Sequence, residues 1–320
     1  DSKPSGPEAL SLDLAFPRAR HLYGIPERAY NLSLPATVGT LHLLWWWALD
    51  VADLDLVTRF YRDGVGLNVL AELPGGHVTL GRGDTIVMHL RHSPGLKHAG
   101  PSEAGLFHTA VLFTEKSALA SALIHTAQNF PGSFTGSADH LVSEAFYFND
   151  PEGNGVELYW DRPRDTWTIE NGQIQMDTLH LDPNAFIQQH ATEASVAAHG
   201  TAAVTVGHVH LSVGDTTIAR EFYVDHIGFD QTFDWNKQAL FVSAGGYHHH
   251  MAMNIWRSRG AGVRQPALGL GLVEITLPTT DDIGLLTERL DHHGYILRND
   301  GQAIEVDDPW GNLVRISAEG

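Results

Sequence analysis

The chain repeats itself, and this constrains its fold more than any other property of the sequence. A helical pattern ending in Phe60-Tyr61-Arg62-Asp63-Gly64-Val65-Gly66-Leu67 recurs as Phe222-Tyr223-Val224-Asp225-His226-Ile227-Gly228-Phe229. A second signature, Asp150-Pro151-Glu152-Gly153-Asn154-Gly155-Val156-Glu157, recurs as Asp308-Pro309-Trp310-Gly311-Asn312-Leu313-Val314-Arg315, a Gly/Asn turn launching a final strand. The first signature marks modules one and three, the second modules two and four. Each module reads as an apolar strand, one helix and three further strands separated by Gly, Pro, Asn or Asp. In module two the strand is Leu106 to Phe113, helical spacing runs from Glu115 to Asn129, and β-rich runs follow at Glu144 to Phe148 and Gly155 to Trp160. Phe60-Tyr61 and Phe222-Tyr223 fall on the apolar faces of their helices, so they are expected in the core.

The modules span about 38–93, 104–162, 203–257 and 268–318. An α+β fold of four βαβββ modules forming two domains follows, and 320 residues exceed what one hydrophobic core usually organises. The expected division is an N-terminal extension (1–37), modules one and two (38–162), a linker with an Ala/Gln/His-rich helix (163–202), and modules three and four (203–320). Leu44-Trp45-Trp46-Trp47-Ala48-Leu49-Asp50 reads as an insertion between the first strand and the helix of module one, because Leu211-Ser212-Val213-Gly214-Asp215 makes the same step without it.

Charge and cysteine content narrow the function. With 38 acidic and 20 basic residues the formal charge is −18, which repels nucleic acid and anionic membrane surfaces. No apolar run reaches the roughly 18 to 20 residues needed to span a bilayer, and the N-terminus lacks the basic and apolar regions of a signal peptide, so a cytoplasmic protein is expected. Zero cysteines exclude disulfides, thiolate nucleophiles, iron–sulfur clusters and cysteine-ligated zinc. A metal would have to be held by His, Asp and Glu, and the chain has 20 histidines.

Five stretches carry a resemblance: Gly105-Leu106-Phe107-His108-Thr109-Ala110, Asp139-His140-Leu141-Val142-Ser143-Glu144-Ala145-Phe146-Tyr147, Asp150 through Glu157, Val206-Gly207-His208-Val209-His210-Leu211, and Ser243-Ala244-Gly245-Gly246-Tyr247-His248-His249-His250. Over residues 38–320 the chain resembles the vicinal oxygen chelate superfamily, and within it the two-domain catechol 2,3-dioxygenase-like proteins. Residues 1–37 resemble something else. Asp1-Ser2-Lys3-Pro4 with His21-Leu22-Tyr23-Gly24-Ile25-Pro26-Glu27-Arg28 is similar to an N-terminal β-sandwich segment of glucosidase II and related family 31 α-glucosidases, but includes none of that family's catalytic residues and implies no glycosidase activity.

In the superfamily one metal ligand sits on the first strand of a module and another on its last. Aligning first strands puts Thr40, His108, His208 and Glu274 at the ligand position; aligning last strands puts Glu157 against Arg315, with only Met251, Ala252, Met253 and Asn254 nearby in module three. The resemblance thus implies a metal held by His108, Glu157 and His208, with modules two and three as the binding pair. Two imidazoles and a carboxylate make the facial triad of non-haem Fe(II) oxygenases, a set that also accepts Mn(II). The family also places a tyrosine ten residues before the ligand Glu, a histidine ahead of that tyrosine and a distal histidine before the partner module's last strand. These match Tyr147, His140 and His249. By analogy His249 is the acid/base, while His140 and Tyr147 hydrogen-bond the metal-bound oxygens.

The implied activity is cleavage of a catechol-like aromatic diol by dioxygen. Its rivals are a metal-dependent isomerase or lyase of the same superfamily, and a binding protein that kept the fold and lost turnover. A glyoxalase-like isomerase would need a second carboxylate ligand, which the apolar strand after His250 does not supply. A binder would not need His140, Tyr147 and His249 together. His42, His89, His125 and His210 read as satisfied core or surface histidines. His248 and His250 flank His249, and strand alternation leaves a slip of one residue open within the triplet. Tyr147 also has a packing reading, with its hydroxyl at the rim. Modules one and four lack a ligand set and read as structural, able to supply contacts in a homo-oligomer.

Overall fold

The computed structural model describes residues 42–318. Module one runs β1 (His42–Val51), α1 (Leu54–Arg59) continuing as a π-helical turn (Phe60–Val65), β2 (Asn68–Leu73), β3 (His77–Arg82) and β4 (Thr85–His92). Module two runs β5 (Gly105–Phe113), α2 (Lys116–Asn129), β6 (Phe134–Asp139), β7 (Ser143–Asn149) and β8 (Gly155–Asp161). The linker holds a small hairpin, β9 (Ile169–Glu170) with β10 (Gln173–Ile174), then α3 (Pro183–His190) and α4 (Glu193–Ala197). Module three is β11 (Val204–Ser212), α5 (Thr216–Arg220) with a π-helical turn (Glu221–Ile227), β12 (Asp230–Trp235), β13 (Ala239–Ser243) and β14 (Met251–Asn254). Module four is β15 (Gly269–Leu277), α6 (Thr280–His292), β16 (Arg298–Asn299), β17 (Ala303–Asp307) and β18 (Leu313–Ala318).

The repeat signatures have a physical basis in both copies. Asp150 accepts from the Glu152 and Asn154 amides and from the Asn154 side chain, and Asp308 accepts from Trp310 and Asn312 in the same way. Each aspartate thus closes the turn that launches its module's last strand. Both π-helical turns end at a glycine with positive φ, Gly66 (87°) and Gly228 (105°), a conformation that costs little only without a Cβ. Phe60, Tyr61, Phe222 and Tyr223 are all fully buried.

Two eight-stranded sheets result. One has the order β16-β17-β18-β15-β1-β4-β3-β2, the other β12-β13-β14-β11-β5-β8-β7-β6. Module one therefore shares a sheet with module four, and module two with module three. The sheets cross the division of the chain into sequential halves: β1 lies antiparallel to β15, and β5 antiparallel to β11. The helices follow the sequence instead. Phe60 packs on Phe130 across the helices of modules one and two, with ring centroids 5.1 Å apart, and Phe222 on Tyr295 across those of modules three and four at 5.3 Å. One continuous apolar core joins both sheets to the helices.

The tryptophan run is not an insertion. Trp45, Trp46 and Trp47 lie within β1, where Trp47 pairs with Val273 on one side and Met88 on the other. Trp47 is fully buried, which accounts for the run as ordinary strand. Thr40 lies outside the described residues. No described helix is long and apolar enough to cross a membrane.

Candidate metal centre

Strand pairing brings three polar side chains to one point. Glu157 on β8 is the parallel partner of Ala110 on β5, and His108 on β5 pairs with His210 on β11. Partners across a sheet share a face, as do alternate residues along a strand, so His108, Ala110, Glu157, His208 and His210 are brought to one side. Between Val206 and Val209 the β11 register shifts against Val111 and Thr109, a bulge that lies at His208. Gly207 sits in it because a Cβ there would come within 2.3 Å of the Tyr159 ring. Gly155 opens β8 for a similar reason, since its Cβ would meet Phe107 O at 2.3 Å.

His108 Nε2 lies 3.0 Å from Glu157 Oε2, His208 Nε2 lies 3.1 Å from the same oxygen, and the two Nε2 atoms are 3.2 Å apart. Ligands about 2.1 Å from a cation and at right angles to one another are about 3.0 Å apart, so the spacing of the three atoms fits one face of an octahedral site. All three residues are buried, and among the described residues this is the one cluster of three His, Asp or Glu with such spacing. Burial alone would raise the Glu157 carboxyl, but His208 and hydrogen bonds from both imidazoles hold it well below the usual range. Burial pushes His208 down. A carboxylate held ionised beside two imidazoles is the kind of donor set a divalent cation takes.

The first-strand alignment holds for modules two and three and shifts for the others. His108 and His208 each lie seven residues before their helix N-caps, Glu115 and Asp215, and the same count leads to Trp46 before Asp53 and Leu272 before Thr279. Registers agree: Trp46 pairs with Glu274 as His108 pairs with His210. Glu274 is thus the counterpart of His210, not of the candidate ligand His208. On the last strands the counterparts of Glu157 are His89, Ala252 and Arg315, the partners of Ala48, His210 and Glu274. His89 packs edge-on against Trp46 at 4.4 Å, so module one places an aromatic contact where module two has its candidate ligands.

The centre opens into a cavity of about 690 Å³. Tyr147, ten residues before Glu157, is its direct partner in the β7–β8 hairpin, so the spacing is a register. His140 Nε2 is 2.7 Å from Tyr147 Oη, and His140 Nδ1 is 2.7 Å from the Asp177 carbonyl. A carbonyl only accepts, so Nδ1 carries the proton in the neutral ring and Tyr147 donates to Nε2. His249 lines the cavity, with its ring 4.1 Å from that of His208; its two neighbours do not line it. Burial, then His208 and His248, push His249 well below the ordinary histidine range. Ala244 N donates to His250 Nδ1, and burial lowers His250 to about 3.

Several functional neighbours were not apparent from sequence. The linker forms a wall: Met176, Thr178, Leu179 and His180 line the cavity, and Leu179 exchanges backbone hydrogen bonds with Asp139. His210 lines it as well, with Nε2 3.0 Å from Asn254 Nδ2 and its ring against Phe107 and Trp256. Alternation from His208 was the available signal. His248 bonds both His249 and Asp161, and Asp161 continues the alternation Glu157, Tyr159, Asp161 along β8.

The βαβββ sheets and this centre define the class. The family model for the Glyoxalase/Bleomycin resistance protein/Dioxygenase superfamily matches residues 41–158 and 205–316, and the chain belongs to that family. Within it, the chain is 34% identical over 265 residues to catechol-2,3-dioxygenase of Bacillus subtilis, covering 82% of this chain and 92% of that protein. The fold is that of a putative dioxygenase from Bacillus subtilis (TM-score 0.60, 13% identity, 88% of this chain and 86% of the other) and of glyoxalase I from Zea mays (0.55, 14%, 86% and 92%). A segment of 39 residues, 12% of this chain, is 54% identical to human neutral alpha-glucosidase AB and covers 4% of that protein. This is the counterpart of the N-terminal resemblance.

Proposed function

We propose that the protein is an extradiol dioxygenase that opens the aromatic ring of a catechol-like diol with dioxygen, using Fe(II) held by His108, Glu157 and His208. The observation that carries this reading is the company the triad keeps. In strand order the His140–Tyr147 pair lies on one side of it and His249 on the other, within one cavity. Fe(II) in this site would supply a Lewis acid and a one-electron redox centre able to bring diol and dioxygen together. Mn(II) accepts the same ligands.

The remaining work falls to the chain's own groups. His249, buried and neutral, takes a proton from a diol hydroxyl and returns it later. Tyr147, donating its hydroxyl hydrogen to His140 Nε2, can accept a hydrogen bond from the substrate on its oxygen. The aromatic wall of Phe107, Phe241 and Trp256 excludes water and packs the ring. An isomerase using a second carboxylate finds no support, since the counterpart of Glu157 in module three is Ala252.

The test is incubation of Fe(II)-loaded protein with catechol, with and without air. Oxygen uptake and a yellow ring-fission product are expected only with air. Folded, metal-loaded protein that consumes no oxygen with any of a panel of catechols would sink the reading.

A further inference from the structure

A hydrogen-bonded chain runs from His249, in the cavity lining, to Asp161 behind it. His249 Nδ1 is 2.7 Å from His248 Nδ1, His248 Nε2 is 2.9 Å from Asp161 Oδ1, and Asp161 Oδ2 accepts from Tyr247 Oη at 2.8 Å. Tyr247 Oη is 2.7 Å from Tyr159 Oη. Tyr247 spends its proton on Asp161, so Tyr159 must donate to Tyr247. His248 is completely buried, while the Asp161 side chain is 18% exposed.

The proton positions follow from what each group can do. A carboxylate only accepts, so His248 Nε2 carries a hydrogen. In a neutral imidazole the other nitrogen is then a bare acceptor, and His248 Nδ1 must receive its hydrogen bond from His249 Nδ1–H. The neutral His249 ring therefore has no proton on Nε2, the nitrogen left for the cavity. Each donor along the chain points towards Asp161, and its carboxylate sets the direction.

We propose that Asp161, acting through His248, is a positioning residue that fixes His249 in the Nδ1–H tautomer, so that an unprotonated Nε2 faces the cavity. The catalytic part of this rests on the reading of His249 as the acid/base; the tautomer itself does not. The logic is that of a carboxylate orienting a histidine directly, here extended by one imidazole. The arrangement also separates the members of the triplet: His249 meets the cavity, His248 relays, and His250 is bound to Ala244 N.

The experiment is nitrogen-15 NMR of histidine-labelled protein loaded with diamagnetic Zn(II), in which ring shifts distinguish the two tautomers, alongside oxygen-uptake kinetics of the Fe(II) form. In the wild type, His249 should show Nδ1–H and a bare Nε2. Asp161→Asn offers one oxygen to two donors and can present its amide to His248; His249 should then shift to Nε2–H, with kcat falling about 10²-fold or more and little change in KM. Tyr247→Phe removes a donor to Asp161 but not the acceptor of His248, so the wild-type tautomer should persist. A wild-type His249 bearing Nε2–H, as it would beside a doubly protonated His248, overturns the proposal without recourse to any variant. So does Asp161→Asn with an unchanged tautomer, or Tyr247→Phe flipping it equally. If no form, wild type included, turns over any catechol, the dioxygenase reading fails while the NMR result still decides this one.

Discussion

Glu274→Gln should make the protein's stability less sensitive to pH, and the size of the effect follows from where Glu274 sits. The residue is 4% exposed, its Oε1 accepts from Ser317 Oγ at 2.5 Å, and no hydrogen bond reaches its Oε2. Arg315 stands 3.5 Å from that oxygen but divides itself with Asp300 (2.9 Å) and Glu305 (3.2 Å). Burial is therefore the larger effect and lifts the carboxyl from 4.5 to about 7. The folded state then holds a proton between those values that the unfolded chain has released. A raised folded pKa gives stability that is complete below about 4.5 and is lost as pH climbs through about 7, a loss of about 3 kcal/mol at 1.36 kcal/mol per unit. Glutamine keeps the acceptor for Ser317 and never ionises. Urea unfolding of both proteins at about pH 5 and pH 8 isolates the group, because histidines titrating in the same window cancel in the difference. Glutamine should gain about 2 to 3 kcal/mol on wild type between the two pH values. A difference that does not change with pH, or one favouring wild type at pH 8, would refute the reasoning and show Arg315 to be the stronger influence.

Metal analysis should find about one transition metal per chain, and two equivalents of similar affinity would show that modules one and four form a site as well. His108→Ala or Glu157→Ala should abolish binding in equilibrium dialysis, because two remaining ligands compete poorly with water. His249→Phe should keep the metal and bind catechol while turnover falls about 10²- to 10⁴-fold; unchanged kinetics would remove His249 from the mechanism. His250→Phe is the suitable control for it, whereas His248→Phe is not, since it breaks the bond that orients His249. Gly207→Ala should cost about 1–3 kcal/mol in urea unfolding and weaken metal affinity, because its Cβ must displace Tyr159 beside His208. A fully stable variant with normal metal affinity would show that the β11 bulge yields freely.

The sequence by itself determined the modules and the ligand candidates. Repeat signatures such as Asp150 to Glu157 and Asp308 to Arg315 are local, because each aspartate closes its own turn, and local chemistry is written in adjacent residues. The spacing of Tyr147 and Glu157 is legible for the same reason, since a hairpin converts a sequence interval into a cross-strand pair. Where register depends on strands far apart, sequence alone went astray. Without the antiparallel pairing of β1 with β15, a run of tryptophans passes for an insertion, and Glu274 is taken as the counterpart of His208 when it faces Trp46. Which modules share a sheet was settled by tertiary pairing between strands about a hundred residues apart or more. The same packing brought Asp177 to His140 and Asp161 to His248, separations of 37 and 87 residues. A long-range hydrogen bond leaves no periodicity in a chain, so residue types announced the candidate metal ligands, while the groups hydrogen-bonded to His140 and His248 became visible only once the chain had folded around them.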